Sequence, residues 1–183
     1  MRLFLAFDVP EGEKRKLENA LQKVRTQLPS ARWIPRGSWH LSLKFLGEVA
    51  DDKVERLFDL ASESAKSSTP FEARLVGAGA FPSTRRTRVL WVGVEERPAG
   101  SIATLAADLE GKAGPAGFRQ EARAHKPHLT VARLREPGPV VGEIASLADF
   151  EGGSFELSSF VLFRSHLSPK GAEYENLGSF PLG

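Results

Sequence analysis

Two short stretches of this chain carry the same four-residue pattern: His40-Leu41-Ser42-Leu43 and His128-Leu129-Thr130-Val131. In the first, Leu41, Leu43 and Phe45 alternate with His40, Ser42 and Lys44, the two-residue period of a strand. Residues two apart on a strand share a face, so each copy presents one imidazole beside one hydroxyl. Histidine changes charge near neutral pH, so one imidazole can be neutral and take a proton while another is charged and gives one. Opening a strained cyclic phosphodiester with water needs both roles at once, on opposite sides of phosphorus. Two facing histidines satisfy that geometry, and two hydroxyls can donate to the non-bridging oxygens where charge builds up. The kit suffices for metal-independent chemistry on a phosphate ester.

The elements that must position these groups read as two similar halves. Arg2 to Val9 is expected as a strand, followed by a helix with Leu17, Ala20, Leu21, Val24 and Leu28 on its apolar face. Ala31 to Ile34 is extended, the His40 strand ends at Gly47, and Asp51 or Asp52 caps a helix whose inner face is Val54, Leu57, Phe58, Ala61 and Ala65. Pro70 stops that helix, and Phe71 to Ala80 forms a strand. The order then repeats: a strand over Arg88 to Val94, a helix lined by Ile102, Leu105, Ala106 and Leu109 ending near Gly111 or Gly114, and a linker to the His128 strand. A short helix over Pro139 to Phe150, a strand over Phe155 to Phe163 and a last strand over Tyr174 to Phe180 follow. Matching points lie 86 (Arg2 to Arg88), 88 (His40 to His128) and 84 (Phe71 to Phe155) residues apart. The shared order of elements indicates one domain over 1–183 built by internal duplication, with approximate halves 1–87 and 88–183. A pseudo-two-fold then sets the two histidines across a cleft.

Composition bounds the partners. The chain of 183 residues is 41% hydrophobic and 26% charged, as expected of an ordinary globular protein. With 25 Lys plus Arg against 23 Asp plus Glu the net charge is only +2, and the sequence pI is near 9.0. A protein that wraps long nucleic acid carries a stronger basic excess, so a small or terminal phosphate fits better. There is no cysteine, which excludes disulfide and thiolate chemistry. The apolar run from Leu3 to Phe7 is too short to span a membrane, and Asp8 interrupts it before any signal core forms. A cytoplasmic, monomeric protein is expected, with no membrane association.

The chain resembles the bacterial-type RNA 2′,3′-cyclic phosphodiesterases, also called 2′-5′ RNA ligases, of the two-histidine phosphoesterases. The matching stretches are Arg2 to Asp8, Trp39 to Glu48, Phe81-Pro82-Ser83, Arg88 to Val94, His125 to Arg133 and Leu162 to Ser165. The resemblance implies an α+β fold of two pseudo-two-fold-related lobes, each an antiparallel sheet with helices packed on it, around a central V-shaped cleft. It implies opening of an RNA 2′,3′-cyclic phosphate end to a 2′-phosphate with no cofactor and no metal, His40 as proton donor and His128 as acceptor. Ser42 stands where threonine is common in the family and keeps the hydroxyl. Ser42 and Thr130 are expected to bind the phosphate. Arg133 falls where the family often has an arginine; an unbroken strand would turn it from the Thr130 face, and a bulge would return it. The ligase name reflects the reverse reaction, joining of RNA ends through the same histidines.

Other residues have plainer readings. Lys44 has the parity to face the cleft or to be solvated. His125 and His128 form an H-x-x-H pair, but Pro127 and strand geometry keep them off one helical face, so His125 is structural or supports the site. His166 is expected in an exposed turn within Arg164 to Pro169, the run Arg85-Arg86-Thr87-Arg88 in an exposed hairpin, and Trp33, Trp39 and Trp91 in packing. No phosphate-loop, dinucleotide or Lys-x-Asp-Gly stretch occurs, which argues against an ATP-consuming ligase. The alternatives are, within the enzyme class, a phosphodiesterase of small cyclic nucleotides or ADP-ribose cyclic phosphate and, from another class, a non-catalytic RNA-end binding module.

Overall fold

The computed structural model describes residues 1–121, 123–168 and 171–183. Nine strands form one antiparallel sheet: β1 (Arg2–Asp8), β2 (Arg32–Trp33), β3 (His40–Glu48), β4 (Phe71–Ser83), β5 (Arg86–Arg97), β6 (Leu129–Gly138), β7 (Phe155–Leu157), β8 (Ser159–Ser168) and β9 (Gly171–Pro181). Their spatial order is β7-β4-β5-β6-β3-β1-β8-β9, with β2 beside β6. Helices α1 (Glu11–Gln27), α2 (Val54–Lys66), α3 (Ser101–Ala113) and the short α4 (Val141–Ala145) complete the α+β fold.

The order divides into two wings of four strands, which meet where Leu41 of β3 pairs with Leu129 of β6. Matching β3 with β6, β1 with β5 and β8 with β4 reproduces the same sequence of neighbours outward from that seam. The wings are not the two halves of the chain, however. Strand β4 crosses to pair with β5 through a tight turn, and β8 returns to pair with β1. A short hairpin is the cheapest antiparallel link, so β4 pairs with its successor in sequence rather than with β1. Each wing therefore draws strands from both halves.

Strand β1 is buried from Leu3 to Phe7 because both its faces are covered, which explains its unbroken apolar run. Helix α1 lays Leu17, Leu21 and Val24 on the sheet; Pro10 precedes it, and Glu11 and Glu13 in the first turn complement its dipole. Leu57, Leu60, Ala61 and Ala65 of α2 and Ile102, Leu105, Ala106, Leu109 and Ala113 of α3 extend the same core. Helix α3 ends at Ala113, with Gly114 as its cap.

Several boundaries differ from expectation. Only Val141–Ala145 of the expected 139–150 helix is α-helical, and the chain after it proceeds by turns into Gly152 and Gly153. The strand expected over Phe155 to Phe163 is broken at Ser158 into β7 and β8, which pair with different wings. Gly47 does not end β3: it takes φ 69 beside a bulge, and the strand continues to Glu48. Of the expected linker before His128, Ala122 lies outside the described residues.

Candidate active site

Strands β3 and β6 bring the two motifs to one seam. Leu41 and Leu129, each between the histidine and the hydroxyl residue of its motif, are direct antiparallel partners and fully buried. Their neighbours His40, Ser42, His128 and Thr130 are half-buried and turn to the opposite, concave face. The structure thus gathers all four at the junction of the wings.

Both imidazoles are held the same way. The Nδ1 of His40 donates to the Ser38 carbonyl at 2.8 Å, and the Nδ1 of His128 to the Lys126 carbonyl at 2.7 Å. A carbonyl only accepts, so each ring carries its proton on Nδ1 and leaves Nε2 for chemistry. Aromatic rings wall each histidine: Phe4 (centroids 4.8 Å apart) and Tyr174 (5.3 Å, edge-on) at His40, Phe81 (5.0 Å, edge-on) and Trp91 (6.2 Å) at His128. Burial among these rings lowers the pKa of His40 to about 4; Lys14 and His128 push it the same way, while the Ser38 hydrogen bond and Asp8 oppose. His128 is also lowered by burial, aided by Arg133 and Lys126 and opposed by the hydrogen bond to Lys126. Burial thus favours the neutral form of both rings at neutral pH.

A bulge follows the motif in each strand at the same place. Ala6 pairs with Ser42 and Leu5 with Lys44, leaving Leu43 unpaired; Trp91 pairs with Thr130 and Leu90 with Ala132, leaving Val131 unpaired. One extra residue reverses the alternation that follows it. Arg133, the direct partner of Val89, therefore returns to the face of Thr130 and Trp91. Its charge acts on His128 in one wing and on Tyr174 in the other, so it stands over the cleft.

The same device overturns the cleft-facing reading of Lys44. The bulge turns it away from the cleft into the core, where it is 1% exposed and donates to Glu110 at 2.5 Å and to the Arg119 carbonyl at 2.8 Å. Phe45, the pseudo-symmetric counterpart of Arg133, takes the cleft face beside Phe4 at 6.0 Å.

Trp39 is core, with its indole N–H on the Ile34 carbonyl, and Trp33 is half-buried with its N–H on the Leu28 carbonyl. Trp91 instead forms the cleft wall, with the Lys126 ammonium 4.9 Å from its ring centre and 5.5 Å from that of Phe81. A single indole on a strand gives no sign in sequence of which face is open, so the expectation of packing is corrected here. Tyr174 and Phe4 were likewise unmarked: each reaches the site only through strand neighbours remote in sequence. The pKa of His125 is lowered by burial and by His128, and the ring lines a cavity with Leu43, Ala106 and Glu110. His166 lies on β8 rather than in a turn, with Nε2 2.7 Å from the Glu175 carboxylate; Pro169, the end of that stretch, lies outside the described residues. In the β4–β5 hairpin Thr87 is buried, donating to the Ser83 carbonyl, whereas Arg86 and Arg88 are exposed. Among the described residues no group of three or more His, Cys, Asp or Glu side chains could hold a metal ion, and no helix is long and apolar enough to cross a membrane.

Comparisons with known proteins agree with this fold. A protein of Archaeoglobus fulgidus named RNA 2′,3′-cyclic phosphodiesterase is 34% identical over 181 residues, 98% of this chain and 99% of its own length. One of the same name from Methanothermobacter thermautotrophicus is 32% identical over 100% of this chain and 99% of its own. Among solved structures, one from Thermus thermophilus superposes with a TM-score of 0.84 at 31% identity, covering 100% of this chain and 98% of that one. LigT of E. coli complexed with 3′-AMP gives 0.78 at 26% identity, covering 99% and 97%. The 2′-5′ RNA ligase superfamily profile matches residues 13–168, and with these relatives it shows that the chain belongs to that superfamily.

Proposed function

We propose that this protein opens the 2′,3′-cyclic phosphate at an RNA end to a 2′-phosphate. The single observation that carries the reading is the pairing of the two His-x-Ser/Thr strands, with both imidazoles oriented alike and both Nε2 atoms left for the substrate. Relatives named for this activity, similar over their whole length, support the substrate class. Water attacks phosphorus and passes its proton to Nε2 of His128. The P–O3′ bond breaks, and O3′ takes the proton carried by Nε2 of His40. Ser42 and Thr130 donate to the non-bridging oxygens, and Arg133 offsets their charge.

The direction follows the family resemblance. Burial disfavours charge on both rings, most plainly on His40, so this direction needs bound substrate to hold a proton on His40. The anionic phosphate favours the imidazolium, so the proton on His40 is stabilised when substrate binds. Both halves of the site come from one chain, so a monomer suffices. The same pattern supports an internal duplication within a single domain over 1–183, with approximate halves 1–87 and 88–183.

The test is incubation of the purified protein with an RNA oligonucleotide ending in 2′,3′-cyclic phosphate, followed by phosphatase. Conversion makes the terminal phosphate removable. An end that stays resistant, with the oligonucleotide bound, would support a non-catalytic RNA-end binding module instead.

A further inference from the structure

Resting on the proposed function, we infer that Arg32 and Arg133 form a second anion subsite beside the catalytic groups, which takes the next phosphodiester of an RNA chain. Arg32 of β2 is the direct antiparallel partner of Arg133 of β6. Directly opposed residues on neighbouring strands share a face, with β-carbons about 5 Å apart, and like charges placed so repel. The neighbouring pair defines the face: Trp33 opposes Ala132 and turns toward α1, where its indole N–H meets the Leu28 carbonyl and Arg25 lies 5.2 Å over its ring. Arg32 therefore takes the opposite, cleft-facing side with Arg133. Both are exposed.

Among the described residues neither Arg32 nor Arg133 has an acidic partner. A chain of net charge +2 thus leaves two facing guanidiniums uncompensated beside its candidate site. A bound anion turns that repulsion into attraction, and a guanidinium fork suits a phosphate. Thr130 and Arg133 are two paired positions apart along β6, roughly 7 Å, and Arg32 lies one strand beyond. Arg133 thus lies between the two phosphates, serving both, and Arg32 is a nucleotide's reach from the cyclic phosphate. An oligonucleotide uses it; a mononucleotide cyclic phosphate has no second phosphate to place there.

The experiment compares kcat/KM for a tetranucleotide ending in 2′,3′-cyclic phosphate with that for the matching mononucleotide 2′,3′-cyclic phosphate, in wild type, Arg32→Ala and Arg32→Lys. Arg32→Ala is expected to lower the oligonucleotide-to-mononucleotide ratio about ten-fold, through KM, and Arg32→Lys to restore part of it. The slope of log KM against log salt for the oligonucleotide falls by about 0.7 in Arg32→Ala, the contribution of one phosphate. An unchanged ratio, or equal losses on both substrates, overturns the subsite. If wild type opens neither substrate the proposed function fails, and the subsite is then read from binding of a fluorescent tetranucleotide ending in a phosphomonoester. Weaker binding in Arg32→Ala sustains the subsite, and equal binding overturns it.

Discussion

Leu41 and Leu129 face each other across the seam between the two wings, and each lies between the histidine and the hydroxyl of its own motif. Antiparallel register then sets His40 next to Thr130 and Ser42 next to His128. Each imidazole is therefore flanked by a hydroxyl residue from the other half of the chain as well as by its own, and the spacing of the two histidines depends on a hydrophobic contact. Leu41→Ala or Leu129→Ala removes a fully buried side chain and should cost roughly 2–5 kcal/mol, as core truncations of leucine do. Because the two are in contact, the double variant should fall short of the sum in urea unfolding. Strict additivity would show that the seam does not couple the wings.

Acid should weaken the fold. An unfolded histidine titrates near 6.5, and His40 in the folded protein near 4. Between these values the unfolded chain binds the extra proton, so stability is fully present above about pH 6.5 and is lost as pH falls toward 4. For His40 the loss is on the order of 3 kcal/mol, and His128, shifted the same way, adds to it. His40→Gln should flatten the fall in denaturant midpoint between pH 7 and 4; a profile as steep as wild type would place the sensitivity elsewhere.

In kinetics the same shifts place the optimum of kcat/KM on the acid side of 6.5, since the free enzyme must have one ring charged and one neutral. The kcat profile, which reports the bound state, should lie at higher pH because the phosphate stabilises the imidazolium. Coincident profiles for kcat and kcat/KM would contradict this.

Lys44 belongs to the core, so its partner should matter for stability rather than chemistry. Glu110→Ala leaves a buried ammonium with only the Arg119 carbonyl. A loss of about 3 kcal/mol is expected, read by urea unfolding. The kcat of the folded protein should hold. A large fall in kcat with unchanged stability would return Lys44 to the cleft.

Gly79 is set by Trp91. A β-carbon at Gly79 would meet the indole at 2.2 Å, so the ring lies flat against bare backbone. Gly79→Ala should displace Trp91, costing about 1–3 kcal/mol and lowering activity through the wall of His128. Tryptophan fluorescence and kcat/KM together check it: unchanged values in both would mean the ring is free to move without consequence.

Most of the fold was legible because it rests on local periodicity. The helix faces of α1 to α3 and the two histidine strands each repeat a pattern over many residues. The β4–β5 hairpin was legible in its turn, but the return of β8 to β1 was not, since no local signal reports which remote strand it will join. Within the site, His40, Ser42, His128 and Thr130 could be named because their spacing repeats. The facing of Lys44 and Arg133 could not be settled, because one unpaired residue, Leu43 or Val131, reverses the strand parity and leaves no mark in composition. Trp91, Tyr174 and Phe4 reach the histidines only through contacts between strands distant in sequence.

The central claim is that His40 and His128 together open the ring with O3′ as leaving group. Its most direct test is the product end formed from RNA 2′,3′-cyclic phosphate in excess EDTA by wild type, His40→Ala and His128→Ala. The account predicts a 2′-phosphate from wild type and a rate lower by about 10² to 10⁴ in each variant, with both variants folded. A 3′-phosphate product, or turnover retained in either variant, would contradict it.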